Sequence, residues 1–419
     1  MAMVITATAD MDTADMDTVN MAMESREKAM DMVTERLCRK TNEQKFIISL
    51  IRKSFNLDKT EYTEEIIDEE EVINIIKRNG ILLTVYPTLG ALKNTDKLKE
   101  KLQLAYFATL QQAVYQKHEG SLVLESLSGS GLNCIALKGW ELKNFYPNPN
   151  MRQMADVDIL VRPYEYDSIK ELMEKLGFEH GRESAWKHDS FRKGRVHIEM
   201  HKRLTDDSKY IKQWETEMWE RSVPDHEHIY KMSIEDFYIY HFIHLYKDFL
   251  NGSLGLRRII DTWILLKQPK NDEFIADKLT LFGLSTFHDR IAKLSRALMG
   301  EEEIDENSEI MLDHAFSIGI FGNGKSYKTG RIVSMSRTGN IRLGKLKSWV
   351  SAIFLPFDRM KAQFPVLEKK PILLPYYWIK RIRYYLTGNV KTSKQMLDYR
   401  DIDNEEYQKM KIFFKAGGV

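Results

Sequence analysis

Two apolar runs that carry regularly spaced charged residues constrain the fold of this chain more than any other feature. In the first run, Asp156 and Asp158 flank Val157 and precede three further apolar residues. The second run, Val196–His201, alternates apolar residues with His, Glu and His, and Glu199 is its acid. Because side chains two residues apart on a β-strand point to the same face, each run predicts a strand with one apolar and one polar face. The sequence therefore predicts that the three carboxylates lie together at one edge of a sheet.

Three carboxylates on neighbouring strands are typical of enzymes that transfer phosphoryl or nucleotidyl groups. In such sites, two divalent ions about 3.5–4 Å apart bind the nucleotide phosphates, activate the attacking hydroxyl and stabilise the leaving oxygen. Mg²⁺ prefers oxygen ligands, and Mn²⁺ accepts the same ligands. We therefore expect Asp156, Asp158 and Glu199 to be both the metal ligands and the catalytic residues.

Two basic residues near the first acidic run could bind the phosphates of a nucleotide. Lys138 follows the mostly apolar residues 132–137 and precedes Gly139, a position from which an ammonium group could neutralise a triphosphate. The guanidinium group of Arg152 could bind phosphate oxygens bidentately. The alternative for each is a solvent-exposed cation, which is the usual situation of Lys and Arg. We expect Lys138, Gly139 and Arg152 to contact the nucleotide.

This ordered set of residues resembles the nucleotidyltransferase superfamily with the polymerase-beta-like fold. More narrowly, it resembles an uncharacterised bacterial nucleotidyltransferase-like family that has Lys-Gly, then Tyr-Pro and Arg, then Asp-x-Asp, then a carboxylate-x-His strand. The matching residues are Lys138, Gly139, Tyr146, Pro147, Arg152, Asp156, Asp158, Glu199 and His201. The resemblance implies an α+β fold with a small mixed sheet flanked by N-terminal and C-terminal helical units. It also implies transfer of a nucleoside monophosphate from an NTP, with ATP expected, to an unidentified acceptor.

Three departures from the superfamily pattern bear on the expected activity. Lys138 and Gly139 stand where the superfamily usually has Gly-Ser, so the Ser that normally touches a nucleotide phosphate is missing. The interval from Gly139 to Asp156 is longer than usual, and the third acid is Glu199 rather than Asp. A second function therefore stays open, namely a non-catalytic module that keeps the fold and binds nucleotide.

Histidines near Glu199 and farther along the chain allow further interpretations. His197, Glu199 and His201 would share one strand face and could hold Zn²⁺, but we rather expect His201 to orient Glu199 or to contact phosphate. Downstream, four residues resemble a helical pattern of the same family: His241, His244, Arg257 and Asp261. These four could contact substrate or form a buried polar network between two helices.

A glycine-rich motif, residues 319–326, matches the phosphate-binding loop pattern letter for letter. Such a loop needs a buried strand before it and a helix after it. The preceding residues 310–318 are predicted to be helical, and the glycines and serines that follow predict a loop or hairpin over 321–347 with no helix after the motif. A P-loop ATPase or kinase that acts through Lys325 is therefore a third candidate function, and a helix beginning at Ser326 would favour it.

Helical periodicity and turn residues divide the remainder of the chain. Thr41 is expected to cap the first helix, Gly80 to end the second and Asn94 to cap a long third, with a turn at Pro87 and Gly90. Four further helices are expected over 233–299. The expected units are a disordered or frayed tract 1–40, a helical unit 41–130, the nucleotidyltransferase-like core 131–232, a helical unit 233–320, the glycine-rich basic loop 321–347 and an aromatic and basic segment 348–419.

Composition limits the expected partners and compartment. The 62 basic and 61 acidic residues nearly cancel, so the total charge predicts no nucleic-acid or acidic partner. Residues 376–385 are aromatic and basic and could lie on an anionic membrane or a nucleic-acid backbone, although packing of the aromatic rings on the domain is the favoured outcome. Cys38 and Cys134 make no disulfide framework, no run of about 18 apolar residues occurs, and Asp10 and Asp12 interrupt any signal segment. We therefore expect a cytoplasmic protein without a transmembrane segment.

Overall fold

The two apolar runs that carry Asp158 and Glu199 form neighbouring strands of one mixed β-sheet in the computed structural model of this chain. The structure describes residues 40–58, 68–90, 92, 95–181, 188–204, 209–320, 322–336, 339–387, 399 and 401–419, with the backbone alone at 358, 362 and 384–387. The tract 1–40, except for Lys40, and the expected cap Asn94 lie outside the described residues.

Seven strands form the sheet within the described part of the chain. They are β1 (Cys134–Ala136), β2 (Val157–Val161), β3 (Glu179–His180), β4 (His188–Lys193), β5 (Val196–His201), β6 (Val223–His226) and β7 (Ile229–Lys231). Their order is β3-β4-β5-β2-β1-β7-β6, with β2 parallel to β5, β1 parallel to β7 and the other neighbours antiparallel. The sequence does not predict β6 and β7, because β6 is exposed throughout and contains a proline.

Helices precede and follow this sheet along the chain. In chain order they are α1 (Asn42–Ser54), α2 (Glu69–Asn79), α3 (Leu82–Leu89), α4 (Asp96–Gly129), α5 (Gly139–Leu142), α6 (Tyr166–Lys175), α7 (Lys209–Arg221), α8 (Ile234–Leu250), α9 (Leu256–Leu266), α10 (Asp272–Leu281), α11 (Ser285–Leu298), α12 (Glu306–Ile318), α13 (Gly324–Met335), α14 (Ile341–Ile353), α15 (Phe357–Gln363), α16 (Val366–Lys369), α17 (Leu374–Thr387) and α18 (Asn404–Ala416). Short 3-10 helices occur at Lys143–Phe145, Pro149–Met151, Pro163–Glu165 and Pro371–Leu373. The predicted α+β fold with a mixed sheet flanked by helices is confirmed.

The apolar core lies on the sheet face opposite Asp158 and Glu199. Alternate residues of the central strands point into it: Val157, Ile159, Val161, Val196, Ile198 and Met200. They pack against one side of α4 and α6, including Leu127 and Ile169. Each fully buried aliphatic side chain of this kind stabilises the fold by about 1.5–3 kcal/mol. The strand alternation therefore fixes which face the acidic residues occupy.

Local sequence signals set the bounds of the N-terminal helices. Thr41 caps α1 through a capping box, and α2 ends at Gly80 with a φ of 61°, both as predicted. The predicted turn at Pro87 and Gly90 is wrong in part, because Pro87 lies inside α3. Proline has a helical φ and loses only one backbone hydrogen bond, and burial of most α3 side chains holds the helix in place.

Helices α8 to α11 are the four helices expected over 233–299, and their bounds lie within one residue of the expected 233–249, 255–267, 273–282 and 286–299. The N-terminal helices contact α11 and α12 directly. Arg52 Nε donates to the Leu298 carbonyl oxygen at 2.8 Å, and Arg78 Nε donates to the Phe316 carbonyl oxygen at 2.6 Å.

The prediction of a glycine-rich loop over 321–347 is wrong, because α13 and α14 occupy most of this range. Asn323 begins α13 with a capping box. A Cβ on Gly330 would lie 2.7 Å from the Gly252 nitrogen, and one on Gly344 would lie 2.6 Å from the Ile332 carbonyl oxygen. The glycines in these helices therefore permit close packing rather than a flexible loop.

Helices α15 to α18 occupy the C-terminal segment. The last of them, α18, packs against α12 and α13. Within the described residues, no helix combines the length and the apolar character that crossing a membrane would require.

Candidate active site

The polar face of the sheet brings the three predicted acidic residues together. Asp158 of β2 and Glu199 of β5 occupy paired positions in a parallel register, and Asp156 directly precedes β2. His197 and His201 share the face of Glu199, because the residues that alternate with them point into the core. The predicted strand faces are therefore observed.

Two basic side chains hold the carboxylate of Asp158. Lys138 Nζ and His201 Nε2 both donate to its Oδ1, at 2.6 and 2.7 Å. His201 Nε2 also lies 3.4 Å from Glu199 Oε2. Burial raises the pKa of Asp158, but the neighbouring Lys138 and His201 outweigh that effect and hold the pKa well below its usual range. Asp158 is therefore ionised at neutral pH.

Negative charge is crowded around Asp156. Burial and the nearby carboxylates of Asp158 and Glu199 raise the pKa of Asp156 to about 6, against the opposing effects of Lys138 and His197. A cation among these groups would relieve the repulsion between them. The electrostatics of Asp156 are therefore those of a site suited to a positive ion.

Two overlapping sets of side chains could hold a metal ion. They are Asp156, His197 and Glu199, and His188, Glu199 and His201; within each set the possible ligand atoms lie within 4.8 Å of one another. The two carboxylates of the first set suit Mg²⁺ or Mn²⁺, whereas the two imidazoles of the second suit Zn²⁺. His188 is missing from the sequence-based prediction, although the hairpin turn at 194–195 places it opposite His201.

Lys138 reaches Asp158 from an unusual backbone conformation. Its φ of 44° and ψ of −120° lie in a region that favours glycine. Gly139 follows, and a Cβ at this position would lie 2.3 Å from Arg152 Nη1 and 2.9 Å from Met154 Cγ. Gly139 is therefore needed for close packing of the chain that returns to β2.

Arg152 forms a buried ion pair on the other side of this turn. Its Nε and Nη2 donate to the two carboxylate oxygens of Asp261 at 3.0 and 2.8 Å, and Tyr146 Oη donates to Asp261 Oδ1 at 2.6 Å. Arg257 Nη1 donates to the Gln153 carbonyl oxygen at 2.6 Å. Four residues of the expected family pattern, two before β2 and two in α9, thus form buried contacts between the loop before β2 and α9.

Helices α8 and α9 form the wall of a cleft beside Lys138. The residues that line it are Lys138, Leu142, Arg152, Phe237, Tyr240, His241, His244, Arg258 and Asp261. His241 shares a hydrogen bond of 2.8 Å with Thr262 Oγ1, and burial lowers the pKa of His241 to about 3. Burial likewise lowers the pKa of His244 to about 4, so both imidazoles are neutral at pH 7.

Asp248 and Arg258 extend this polar wall and are missing from the sequence-based prediction. His244 Nδ1 and Arg258 Nη2 lie 3.2 and 2.5 Å from Asp248 Oδ2. Asp248 stands four residues after His244, which is the helical spacing that would have indicated a pair. The basic group of Arg258 thus faces the same cleft as Lys138.

The glycine-rich motif at 319–326 lacks the structure of a phosphate-binding loop. The preceding element is α12, a helix as predicted, rather than a strand. The prediction that no helix follows is wrong, because α13 begins at Gly324. Asn323 Oδ1 accepts the Ser326 N–H at 2.7 Å, and Lys325 Nζ lies 3.0 Å from Glu406 Oε1. The cap amide and the lysine are therefore engaged within the protein.

The mixed sheet with acidic residues on one face is the arrangement that the sequence analysis expected for a nucleotidyltransferase. A family model described as "Uncharacterised nucleotidyltransferase" matches residues 65–300, more than half of the chain, and the chain belongs to this family. This confirms the resemblance found in the sequence. No curated protein matches the chain.

A solved structure that matches is described as "Solution Structure of Antibiotic-Resistance Factor ANT(2'')-Ia Reveals Substrate-Regulated Conformation Dynamics". It is 14% identical, covers 43% of this chain and 97% of its own, and has a TM-score of 0.30. At that TM-score the likeness adds nothing to the family assignment.

Proposed function

We propose that this protein transfers a nucleoside monophosphate from an NTP, with ATP as the donor, to an acceptor and releases pyrophosphate. The observation that supports this proposal best is the pairing of Asp158 with Glu199 across parallel strands, with Asp156 beside them. The cationic groups of Lys138 and Arg258 face the adjoining cleft, where they could neutralise the charge of phosphates.

The residues present fit divalent ions, because burial and the nearby carboxylates of Asp158 and Glu199 raise the pKa of Asp156. Asp156, Asp158 and Glu199 would hold Mg²⁺ or Mn²⁺, and His197 could join them. When bound, such ions would lower the pKa of the acceptor hydroxyl and stabilise the charge on the phosphates. The proposed mechanism uses two ions, and their binding would replace a contact that Lys138 or His201 makes with Asp158 Oδ1.

Each protein group has a distinct task in the proposed reaction. His201 lies between Asp158 and Glu199 and would keep both carboxylates in position. The ammonium group of Lys138 would keep Asp158 ionised and bind a phosphate oxygen. Two N–H groups of Arg152 donate to Asp261. We therefore assign Arg152 to positioning the loop before β2 rather than to binding the phosphates.

The experiment that tests this proposal follows label from ATP carrying it at either the α- or the γ-phosphate. The protein is incubated with Mg²⁺ or Mn²⁺ and with acceptors from a cell extract. We expect α-label to move to an acceptor, and we expect Asp158→Asn to abolish the transfer. The matched control is Asp225→Asn, the same change at an exposed acid of the same sheet, which should leave transfer unchanged. Transfer that persists in Asp158→Asn would contradict the proposed site.

The same assay separates the two remaining candidate functions. The double contact of Asp158 with Lys138 and His201 favours a non-catalytic nucleotide-binding module, which would bind ATP in calorimetry and transfer neither label. Release of γ-phosphate that Lys325→Ala stops would identify a P-loop activity. We do not expect that result, because Lys325 forms an ion pair with Glu406.

A further inference from the structure

Basic residues far outnumber acidic residues in residues 339–387. This segment contains ten basic residues: Arg342, Lys345, Lys347, Arg359, Lys361, Lys369, Lys370, Lys380, Arg381 and Arg383. It contains two acidic residues, Asp358 and Glu368, whereas the whole chain has a net charge of +1. The segment is therefore a positive region of a chain that is nearly neutral as a whole.

Large apolar side chains are exposed in the same segment. They are Leu346, Trp349, Val350, Phe354, Val366, Ile372, Tyr376 and Ile379. Ile372 is 88% exposed and Ile379 is 65% exposed, so packing within the described protein leaves them largely open to solvent. Aliphatic side chains at this exposure indicate a surface that is covered by a partner.

Helix α17 divides its residues between an inner and an outer face. Trp378 Nε1 donates to the Leu355 carbonyl oxygen at 3.1 Å, and the Tyr377 ring lies 4.5 Å from that of Phe364, measured between centroids. These two aromatic residues pack inward, as the sequence analysis favoured.

The outer face of α17 carries both apolar and basic groups. Tyr376, Ile379, Lys380 and Arg383 are exposed and follow the spacing of one helical face. Lys369, Lys370 and Ile372 precede the helix and are exposed as well. We call these seven residues the basic-apolar surface.

We propose that the basic-apolar surface binds an anionic lipid bilayer. Lys and Arg near a bilayer attract its acidic head groups, and their aliphatic stems lie along apolar surface. Ile372 and Ile379 would enter the boundary between head groups and acyl chains, and Tyr376 would lie at the interface, where such rings are favoured. Exposed isoleucines contribute nothing to binding a nucleic-acid backbone, so the composition of this surface favours lipid.

Vesicle sedimentation of the full chain tests this proposal. One vesicle preparation is pure phosphatidylcholine, and the other contains three parts phosphatidylcholine to one part phosphatidylglycerol. We expect the protein to sediment with the anionic vesicles only and to be released by about 0.5 M salt, which screens charges beyond a few ångströms. No sedimentation, or equal sedimentation with both preparations, would overturn the proposal.

Variants of the basic-apolar surface, each with a matched control elsewhere, test whether this surface binds the vesicles. We expect the double variant Ile372→Ser and Ile379→Ser to bind anionic vesicles at least about tenfold more weakly, because it removes two inserted apolar side chains. We expect Lys369→Gln with Lys370→Gln to weaken binding too. The matched controls are Leu104→Ser, at a site 84% exposed on α4, and Lys97→Gln with Lys99→Gln; neither should change binding.

Two further outcomes would contradict the proposed role of this surface. Unchanged binding of the isoleucine variant would mean that apolar insertion plays no part. Retention of an RNA or DNA probe that the lysine variant loses, without vesicle binding, would identify a nucleic-acid surface instead. The proposal does not depend on the proposed function, since nucleotidyl transfer by these variants in solution should equal that of the wild type.

Discussion

Asp158 and Asp261 are both buried carboxylates, but their partners give them different tasks. Asp158 is 3% exposed and is bound by His201 and by Lys138, and Lys138 lines the cleft beside α8 and α9. Asp261 is 1% exposed and bonded to Arg152 and Tyr146. A buried ion pair stabilises little by itself, but loss of one partner leaves an uncompensated charge. The Asp261 network is therefore structural, whereas the proposed reaction assigns Asp158 to binding a metal ion.

Replacing Asp261 with Asn tests this structural assignment. The change leaves the Arg152 cation buried without its counter-ion, so we expect the free energy of unfolding in urea to fall by about 3–5 kcal/mol. The control is Glu405→Gln, which breaks the exposed ion pair with Lys409 and should cost less than about 0.5 kcal/mol. Equal effects of the two changes would contradict a buried charge pair.

Asp313 lies outside the candidate site, and we expect its ionisation to make the stability of the protein depend on pH. The residue is 6% exposed, and neither carboxylate oxygen has a hydrogen-bond partner among the described residues. Burial and Glu309 raise its pKa to about 7, against the opposing charge of Lys40. Between about pH 4 and 7 the unfolded state ionises before the folded state does, so folding becomes less favourable as the pH rises.

The variant Asp313→Leu removes this ionisation. We expect its gain in free energy of unfolding over the wild type to be about 2–3 kcal/mol larger at pH 8 than at pH 5. Urea unfolding at both pH values measures this difference. Asp225→Leu, at a residue whose side chain is 45% exposed, serves as the control and should give a gain or loss that is independent of pH. If the effect of Asp313→Leu on the free energy of unfolding were also independent of pH, that result would contradict the raised pKa of Asp313.

The sequence predicts which residues approach one another at the site better than it predicts their partners. Alternation and register bring Asp156, Asp158 and Glu199 together, because strand geometry acts over short distances. The partner of Arg152 is Asp261, more than a hundred residues away, and nothing local marks that choice. A cation and an anion in a sequence can pair in many ways, and only the packed helices select one.

At the scale of elements, local signals predict helix ends and tertiary contacts decide the exceptions. The caps at Thr41 and Gly80 depend on neighbouring backbone groups and are predicted correctly. Helix α13 contains Gly330, which sequence rules treat as a helix breaker. Its close approach to Gly252 supplies the compensating packing, which the sequence alone does not reveal.

Gly120 in α4 is another helical glycine that permits close packing, and its contribution can be tested. A Cβ at this position would lie 2.5 Å from Cζ3 of Trp140, in the helix that follows Lys138. We expect Gly120→Ala to displace this ring, to lower the free energy of unfolding by about 1–3 kcal/mol and to reduce nucleotidyl transfer. Thermal unfolding and the labelling assay measure the two effects.

The matched control lies at the end of the same helix. A Cβ on Gly129 would meet no heavy atom within 4 Å, and alanine has the higher helix propensity. We therefore expect Gly129→Ala to be neutral or to stabilise by up to about 1 kcal/mol. A loss of stability equal to that of Gly120→Ala would point to glycine's backbone freedom rather than to contact with Trp140.

At the scale of the whole molecule, direct contacts join the helices that precede the sheet along the chain to the helices that follow it. Arg78 of α2 bonds to the end of α12, and the Leu256 N–H that begins α9 donates to Asn79 Oδ1 at 2.8 Å. The predicted helical units at 41–130 and 233–320 are divided by their order along the chain. The contacts between these units form only in the folded protein, so the sequence does not predict them. We therefore expect residues 40–419 to unfold as one cooperative unit.

Phe413 of α18 tests that cooperativity from the far end of the chain. Its ring is 1% exposed and stacks on Phe249 of α8 and His314 of α12, with centroid distances of 4.1 and 3.7 Å. We expect Phe413→Ala to lower the free energy of unfolding by about 3–5 kcal/mol in a single transition. Tyr376→Ala, at a side chain that is 59% exposed, is the control and should change it by less than about 0.5 kcal/mol. If α18 instead detached alone, tryptophan fluorescence and helical circular dichroism would report separate transitions, because the sheet and α8 would stay folded after α18 had melted.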